Sequence, residues 1–243
     1  MEKSNVFKKC LFFSVLTIIL LFVVCIMLRY EVEGEKELPF SINKMLIVST
    51  VDGQRVEDES NIWNIDIRQV NDVYIYINKT DSNKGELIKE ISIENFNIVS
   101  YPQKGNVKVY RPTGELENLY QYSEQDYLNS KITYVGERID DLKALEISTT
   151  GGMIGFRISL DELGKFISNE GEEISYDGSL LKNININNDE IKTNLTFDLI
   201  IETNENIKFK GTFNLELPKG NIIEEGSSSL EITDFSDVIF KRI

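Results

Sequence analysis

Residues 195–217, LTFDLIIETNENIKFKGTFNLEL, alternate apolar and polar side chains on both sides of a short polar segment. This period of two is typical of strands with one buried face, and it predicts a β-hairpin that turns at residues 204–206. Both apolar sets face one core only if paired residue numbers sum to an even number, as in Ile201 opposite Phe209. The turn then contains an odd number of residues, and three is the simplest solution.

The same alternation recurs in the rest of the chain and predicts further strands. These strands are expected at residues 43–51, 72–78, 91–98, 107–109, 131–135, 142–149, 153–158, 230–232 and 238–240. The apolar parity slips by one between Ile93 and Phe96, so we expect a β-bulge or a strand break near residues 94 and 95.

Turn and helix signals divide these strands. Asp52-Gly53 predicts a turn, and residues 102–105 (Pro-Gln-Lys-Gly) predict a hairpin into the strand that follows. Ser159 and Glu162 form a capping-box pattern ahead of apolar residues 163, 166 and 167, which predicts a helix. Residues 115–131 have partial helical spacing and predict a second short helix or an irregular tyrosine-rich loop.

These elements predict a mainly β fold, an antiparallel β-sandwich-like domain with one or two short helices. Residues 112–114 (Pro-Thr-Gly) are the best candidate for a boundary between two subdomains, and one continuous sandwich is the alternative.

Residues 10–28, CLFFSVLTIILLFVVCIML, carry no charge and would form a helix of roughly 28 Å, close to the thickness of a bilayer core. A cleaved secretory signal is the first alternative, but its apolar region would be shorter and would end at small residues. Lipid attachment at Cys25 would need a small residue just before it, and residues 22–24 are Phe-Val-Val. A buried core helix would show a polar stripe. The sequence therefore predicts an uncleaved transmembrane signal anchor.

Charges on the two sides of this segment predict its orientation. Lys3, Lys8 and Lys9 precede it, whereas Arg29 is followed by several glutamates, so the N-terminus is expected in the cytoplasm. The predicted organisation is a cytoplasmic N-terminus (1–9), the anchor (10–28), a charged stalk (29–41) and an extracytoplasmic β domain (42–243). The bilayer, reached through residues 10–28, is the first predicted partner.

Composition excludes several functional classes. The chain has a formal net charge of −14 at pH 7, which disfavours nucleic acid, and no glycine-rich phosphate loop supports nucleotide binding. It has no histidine, and both cysteines lie in the predicted anchor, which removes disulfides, thiolate sites and histidine-based catalysis from the domain. A domain outside the cytoplasm without disulfides favours a bacterial cell envelope. We expect no cofactor and no metal.

Acidic pairs are the only candidates for catalysis. They are Asp140-Asp141, Asp161-Glu162, Glu172-Glu173, Asp189-Glu190 and Glu224-Glu225. A glycosidase needs two carboxylates facing each other across a cleft, but neighbours on a strand point to opposite faces. Residues 187–190, Asp234 and Asp237 match no defined calcium loop. No serine carries a motif of a Ser-Lys nucleophile. We therefore predict no catalytic residues, with a carboxylate-pair hydrolase as the alternative.

Tyrosines are the remaining feature of the first half. Tyr74, Tyr76 and Tyr110 fall opposite the apolar strand face, where they form either a second packed layer or an exposed platform. An exposed platform would bind a peptide or glycan, because a flat ring with a hydroxyl binds at low entropic cost. The expected function is that of a non-catalytic binding or structural component, whose partner is another envelope protein, a peptide or a glycan.

Overall fold

The computed structural model describes residues 2–34, 37–56, 62–80, 85–113, 122–136, 145–169, 173, 175 and 177–243. A single long helix, α1 (Glu2–Glu33), precedes the β domain. Its segment Lys8–Arg29 is long and apolar enough to cross a membrane, and none of it is buried against the rest of the protein.

The described part of the β domain contains eleven strands and three short helices. The strands are β1 (Phe40–Arg55), β2 (Asn64–Lys79), β3 (Ile88–Ser100), β4 (Asn106–Tyr110), β5 (Ile132–Val135), β6 (Leu145–Glu146), β7 (Gly151–Ile167), β8 (Thr193–Thr203), β9 (Lys208–Leu217), β10 (Ser227–Ile232) and β11 (Lys241–Arg242). The helices are α2 (Ser179–Asn183), α3 (Asn188–Ile191) and α4 (Ile222–Glu225).

The strands form two sheets that pack face to face. The five-stranded sheet has the order β10-β1-β2-β7-β4, and the six-stranded sheet has the order β11-β9-β8-β3-β5-β6. Every described strand pair is antiparallel except β5 with β6. The predicted mainly β, sandwich-like fold is confirmed.

The register of the final hairpin is the predicted one. Ile201 lies opposite Phe209, and the Thr203 N–H donates to the Ile207 carbonyl over 2.9 Å, which leaves a three-residue turn at 204–206. The predicted bulge in β3 is also present, because the register against β8 shifts between Glu94 and Asn97. Whether the apolar residues fall at odd or at even positions was sufficient for both predictions.

The predicted turn at Asp52-Gly53 is wrong. Both residues lie inside β1, opposite Arg68 and Ile67 of β2. The Asp52 carboxylate accepts hydrogen bonds from Arg68 Nε at 2.8 Å and Nη2 at 2.5 Å. Pairing with a long neighbouring strand, reinforced by this ion pair, outweighs the local preference for a turn.

The predicted helix after Ser159 is also wrong, because β7 continues through this segment. The register against β2 shifts between Ile67 and Gln69, and Glu162 has a φ of +61°, so β7 bulges here. The bulge inserts residues into the strand and brings Leu163 to the buried face, three positions after Leu160. Helical spacing and a bulged strand produce the same sequence pattern over one turn.

The predicted hairpin at residues 102–105 is wrong as well. β3 belongs to the six-stranded sheet, whereas β4 pairs with β7 in the five-stranded sheet. The segment therefore carries the chain from one sheet to the other. Its Gln103 and Lys104 N–H groups both donate to the Glu190 carbonyl at the end of α3. Alternation identifies a strand but not its partner.

The remaining strand predictions differ at their ends. The closing strand expected at 238–240 is displaced to β11. Of the strand expected at 142–149, the structure shows β6, and residues 142–144 lie outside the described residues. Within 115–131, residues 122–131 are irregular, and residues 115–121 lie outside the described residues. α1 ends and β1 begins inside the stretch predicted as a stalk, of which residues 35 and 36 are not described.

The β domain has two cores, which we name by their position relative to α1. The large core lies between the sheets at the α1 end and contains stacked phenylalanines, including Phe197 and Phe213 with ring centres 5.2 Å apart. The small core lies at the far end, where α2, α3 and α4 rather than a second sheet cover the five-stranded sheet. Its residues are aliphatic, with Leu180 and Leu181 from α2 among them. β1, β2 and β7 are each roughly 50 Å long and contribute to both cores.

A buried polar cluster separates the two cores. Ser49, Gln69 and Asn71 are fully buried. The Asn71 Oδ1 accepts from the Ser49 hydroxyl at 2.7 Å and from the Gln69 amide at 2.9 Å, and the Asn71 amide donates back to Gln69. Ser49 also accepts from the Lys219 N–H. We call these three residues the polar belt.

Strand pairing crosses the predicted boundary at residues 112–114, of which residue 114 lies outside the described residues. β4 precedes them and pairs with β7, which follows them, while β3 precedes them and pairs with β5.

A tyrosine from β5 adds a bond between the sheets. The Tyr134 hydroxyl donates to the Gly155 carbonyl and accepts from the Gly155 N–H at 3.0 Å, just beyond the end of β4. The hydroxyl thus bonds both the N–H and the carbonyl of Gly155, two residues before the part of β7 that pairs with β4.

Candidate functional site on the outer face of the five-stranded sheet

The five-stranded sheet has an outer face, directed away from the large core. Residues of β1, β2 and β7 alternate between the two faces, so the neighbours of core residues such as Ile75 and Ile154 point outward. Two regions of this face differ in chemistry. The aromatic strip, near the α1 end, consists of Lys44, Leu46, Tyr74, Tyr76 and Met153. The charged depression, toward the far end, has Asp66, Arg68, Lys108, Asp161, Glu162 and Lys165 among its lining residues.

Strand register assembles the aromatic strip. Tyr76 lies between Lys44 of β1 and Met153 of β7, and Leu46 lies opposite Tyr74. The Lys44 ammonium is 4.9 Å from the centre of the Tyr76 ring. Met153 is 51% exposed, and the other four members are partly exposed. The strip is therefore a flat, largely apolar surface with one cation at its edge.

Gly155 shapes this surface. It lies opposite Tyr74, and a Cβ atom there would be only 3.0 Å from the Tyr74 ring. The absent side chain lets the ring lie over β7 and extend the flat surface across three strands. Any larger residue at this position would displace the ring.

A cluster around the Arg157–Asp72 ion pair bounds the strip on the side of the depression. The Arg157 guanidinium binds the Asp72 carboxylate through two hydrogen bonds, of 2.8 and 2.9 Å, and lies 4.0 Å from the Tyr122 ring centre. Burial raises the pKa of Tyr122, so its hydroxyl stays neutral 3.5 Å from that of Tyr74. Burial opposes the charge of Arg157, but the bonds to Asp72 outweigh it and raise the pKa of Arg157. The cluster is a rigid, internally paired boundary.

The charged depression has a volume of about 310 Å³. At its base the Asp161 carboxylate accepts hydrogen bonds from the Ser159 hydroxyl, from the Tyr110 hydroxyl at 2.9 Å and from the Lys108 ammonium at 3.0 Å. Burial alone would raise the pKa of Asp161, but these three donors outweigh it and lower the pKa. Burial and the bond to Asp161 raise the pKa of Tyr110 to about 12. Asp161 raises the pKa of Lys108 as well.

These protonation states decide what the depression can do chemically. A general acid in a glycosidase needs a carboxyl whose pKa is raised, whereas that of Asp161 is lowered. A Ser-Lys dyad needs a neutral lysine, whereas Lys108 is held as an ammonium and the buried Ser159 donates to Asp161. The groups of the depression stabilise one another.

The loops considered for calcium have structural uses in the described chain. Asn187 caps α3, with Glu190 completing the capping box and pairing with Lys104 at 3.0 Å. Asp234 accepts from the Ser236 N–H. Within the described residues, no three acidic, cysteine or histidine side chains are placed to hold a metal ion. Residues 140, 141 and 172, from two of the acidic pairs, lie outside the described part.

The three tyrosines singled out by sequence share one face but not one site. Tyr74 and Tyr76 lie side by side in the aromatic strip, partly exposed. Tyr110 is buried on the other side of β7, where it contributes a hydroxyl to Asp161 rather than an exposed ring. Sequence reasoning missed Leu46 and Met153. Their opposite parity to the core residues Met45 and Ile154 could have shown them, but the pairing of their strands with β2 could not be read from the sequence.

Comparisons with protein-family models, curated proteins and solved structures found no significant match to this chain. Its function is therefore inferred from its own geometry.

Proposed function

We propose that the protein is a single-pass, membrane-anchored component of the bacterial cell envelope that binds a partner through the aromatic strip and catalyses no reaction. One observation carries this proposal, namely the strip itself. The solvent face of an antiparallel sheet is ordinarily polar, and contiguous exposed apolar residues on such a face are typical of interaction surfaces. Leu46 and Met153 offer water no hydrogen-bonding side-chain group, so covering them is favourable.

The anchor follows from α1. Its apolar segment is exposed along its whole length, which is stable in lipid and unfavourable in water. The lysines before this segment support a cytoplasmic N-terminus and an extracytoplasmic β domain. In this orientation the aromatic strip is at the membrane-proximal end of the domain and faces sideways, toward neighbouring molecules of the envelope.

The chemistry of the strip favours a peptide segment of another envelope protein, or a glycan, as the partner. Two tyrosine rings supply flat contact area, their hydroxyls supply hydrogen bonds, and the Lys44 ammonium supplies a charge at the edge. Lys44 also binds Glu231 at 2.8 Å, which fixes its position beside Tyr76. The hydrolase alternative has less support, because three donors hold the Asp161 carboxylate ionised and Asp161 holds Lys108 as an ammonium.

Site-specific photocrosslinking in intact cells tests the binding surface. A photoreactive phenylalanine analogue at Met153 should give a discrete adduct with a partner. The matched control is Asn214, an exposed residue on the outer face of the six-stranded sheet. Identical adducts from both positions, or none from Met153, would contradict the proposal.

Orientation is tested separately. In a Cys10→Ser, Cys25→Ser background, Ser229→Cys places one thiol on exposed β10. A membrane-impermeant maleimide should label this thiol in intact cells. Labelling that occurs only after lysis would place the domain in the cytoplasm and exclude an extracytoplasmic partner.

A further inference from the structure

The residue that follows α1 lies against Ile239 and Phe240, far away in sequence. Gly34, directly after α1, is buried and has a φ of +73°. A Cβ atom there would lie 2.8 Å from the Phe240 carbonyl oxygen and would overlap the Ile239 side chain. Only glycine fits this close approach without displacing the neighbouring segment.

Residues 239–243 are fixed to the β domain by one buried ring and by strand pairing. Phe240 packs against Phe40, with ring centres 5.2 Å apart, and the Ile243 N–H donates to the Lys208 carbonyl at 2.9 Å. The isoleucines on either side point outward, and Ile239 is 46% and Ile243 61% exposed. The segment thus presents two large apolar side chains beside the end of α1.

Helix geometry places this segment at the level of the lipid headgroups. Gly34 follows the apolar segment Lys8–Arg29 by five residues, or roughly 7.5 Å of helix rise. The headgroup layer extends about 5–8 Å beyond the hydrocarbon on each side. Lys241 also lies directly opposite Lys210 in the β9–β11 pair. The Asp198 carboxylate, 3.5 Å from the Lys210 ammonium, offsets part of the repulsion between these like charges.

We propose that residues 239–243 are a second membrane contact, in which Ile239 and Ile243 enter the interfacial layer of the bilayer that α1 crosses. Lipid phosphates then lie close to Lys241. This contact holds the β domain against the membrane and limits its rotation about the end of α1. The inference depends on α1 crossing the bilayer and not on the partner of the aromatic strip.

Fluorescence quenching of the full chain in vesicles of phosphatidylcholine with a minor share of phosphatidylglycerol tests this contact. In the Cys10→Ser, Cys25→Ser background, a bimane label at Ile243→Cys should lose most of its emission in brominated lipid and resist aqueous iodide. The matched control is Ile167→Cys, whose native side chain is equally exposed, 61%, at the far end of β7. Its label should show the reverse pattern.

One further label and one substitution make the outcome decisive. A label on native Cys25, in a chain that carries only Cys10→Ser, should be quenched by brominated lipid, which establishes that α1 is inserted. Adding Ile239→Asp beside the Ile243→Cys label should restore access to iodide. The proposal is overturned if the labels at 243 and 167 respond alike while the Cys25 label is quenched, and also if the Cys25 label is not quenched at all.

Discussion

The two ends of the β domain are built differently, although β1, β2 and β7 run through both. At the α1 end, two sheets enclose phenylalanine-rich packing, and the outer face exposes the aromatic strip. At the far end, three short helices cover a smaller aliphatic core, and the outer face bears the charged depression. The inner packing and the outer chemistry therefore change at the same level of the sheet, near the polar belt.

We expect the charged depression to contribute to stability and the aromatic strip to bind a partner. In the depression, Lys108, Tyr110 and Ser159 are all bonded to Asp161, so a ligand would have to displace existing bonds. In the aromatic strip, the apolar side chains of Leu46 and Met153 are in contact with water, and a partner that covers them would displace that water. The α1 end thus combines the larger core with the surface that we expect to bind.

The largest predicted effect concerns the cores. Phe197→Ala should destabilise the domain by about 3–5 kcal/mol, because it opens a cavity among stacked rings, whereas Leu180→Ala should cost about 2 kcal/mol. Urea unfolding of the full chain in detergent gives both values. Hydrogen exchange should quicken throughout the domain in the first variant and mainly at the far end in the second. Uniform acceleration in both would mean that the two ends unfold as one unit.

The polar belt should have the next largest effect. Asn71→Leu leaves Ser49 and Gln69 without their main partner in a buried environment, and we expect a loss of about 2–4 kcal/mol. Replacing all three, as Ser49→Ala, Gln69→Leu and Asn71→Leu, should recover part of this loss, because the three side chains no longer leave one another unpaired. The recovery is incomplete, since the Lys219 N–H loses its acceptor on Ser49. A triple variant less stable than the single variant would show that the belt stabilises the domain beyond its own hydrogen bonds.

Asp161 tests the depression through its pH dependence. Asp161→Asn should cost about 1–3 kcal/mol at neutral pH, since it removes a charged acceptor from three donors. The pKa of Asp161 is lowered by folding, so its contribution is complete above the ordinary value of 3.8 and is lost as pH falls through the folded-state pKa. The free energies of unfolding of the wild type and the variant should therefore converge in acid. A constant difference down to acid pH would show that ionisation of Asp161 contributes nothing.

The smallest effect on stability is expected in the aromatic strip. Tyr76→Ser and Met153→Ser change partly exposed side chains and should alter the free energy of unfolding by about 0.5 kcal/mol or less. The Tyr76→Ser exchange should nevertheless abolish the adduct from the photoreactive residue at Met153. A stable variant that retains the adduct would move the binding surface away from the strip.

Period-two alternation was sufficient to predict the β class, the register of the final hairpin and the bulge in β3. It could not show that β3 and β4 lie in different sheets, because a strand's pattern is the same whichever neighbour it pairs with. The capping-box pattern and apolar spacing in the bulged part of β7 wrongly predicted a helix, because the bulge places buried residues three positions apart, as a helix does. The polar belt could not be predicted from the sequence, because polar residues such as Gln69 and Asn71 are ordinarily exposed and only the fold shows that they are buried.

The candidate site was only half predictable for the same reason. The parity of Tyr74 and Tyr76 placed them correctly on the outer face. The separation of Tyr110 from them depends on β7 lying between β2 and β4, which is a property of sheet order. Lys44 and Met153 join Tyr76 only through the register of three strands that are distant in sequence.

The hydroxyl of Tyr134 also has a consequence for aggregation. A bare strand edge invites edge-to-edge aggregation between copies of a protein. Among the described residues, β4 stops pairing with β7 at Arg157, and at Gly155 one phenol takes the place of a neighbouring backbone. The side chain that joins the two sheets from within thus also occupies backbone groups to which an added strand would bind.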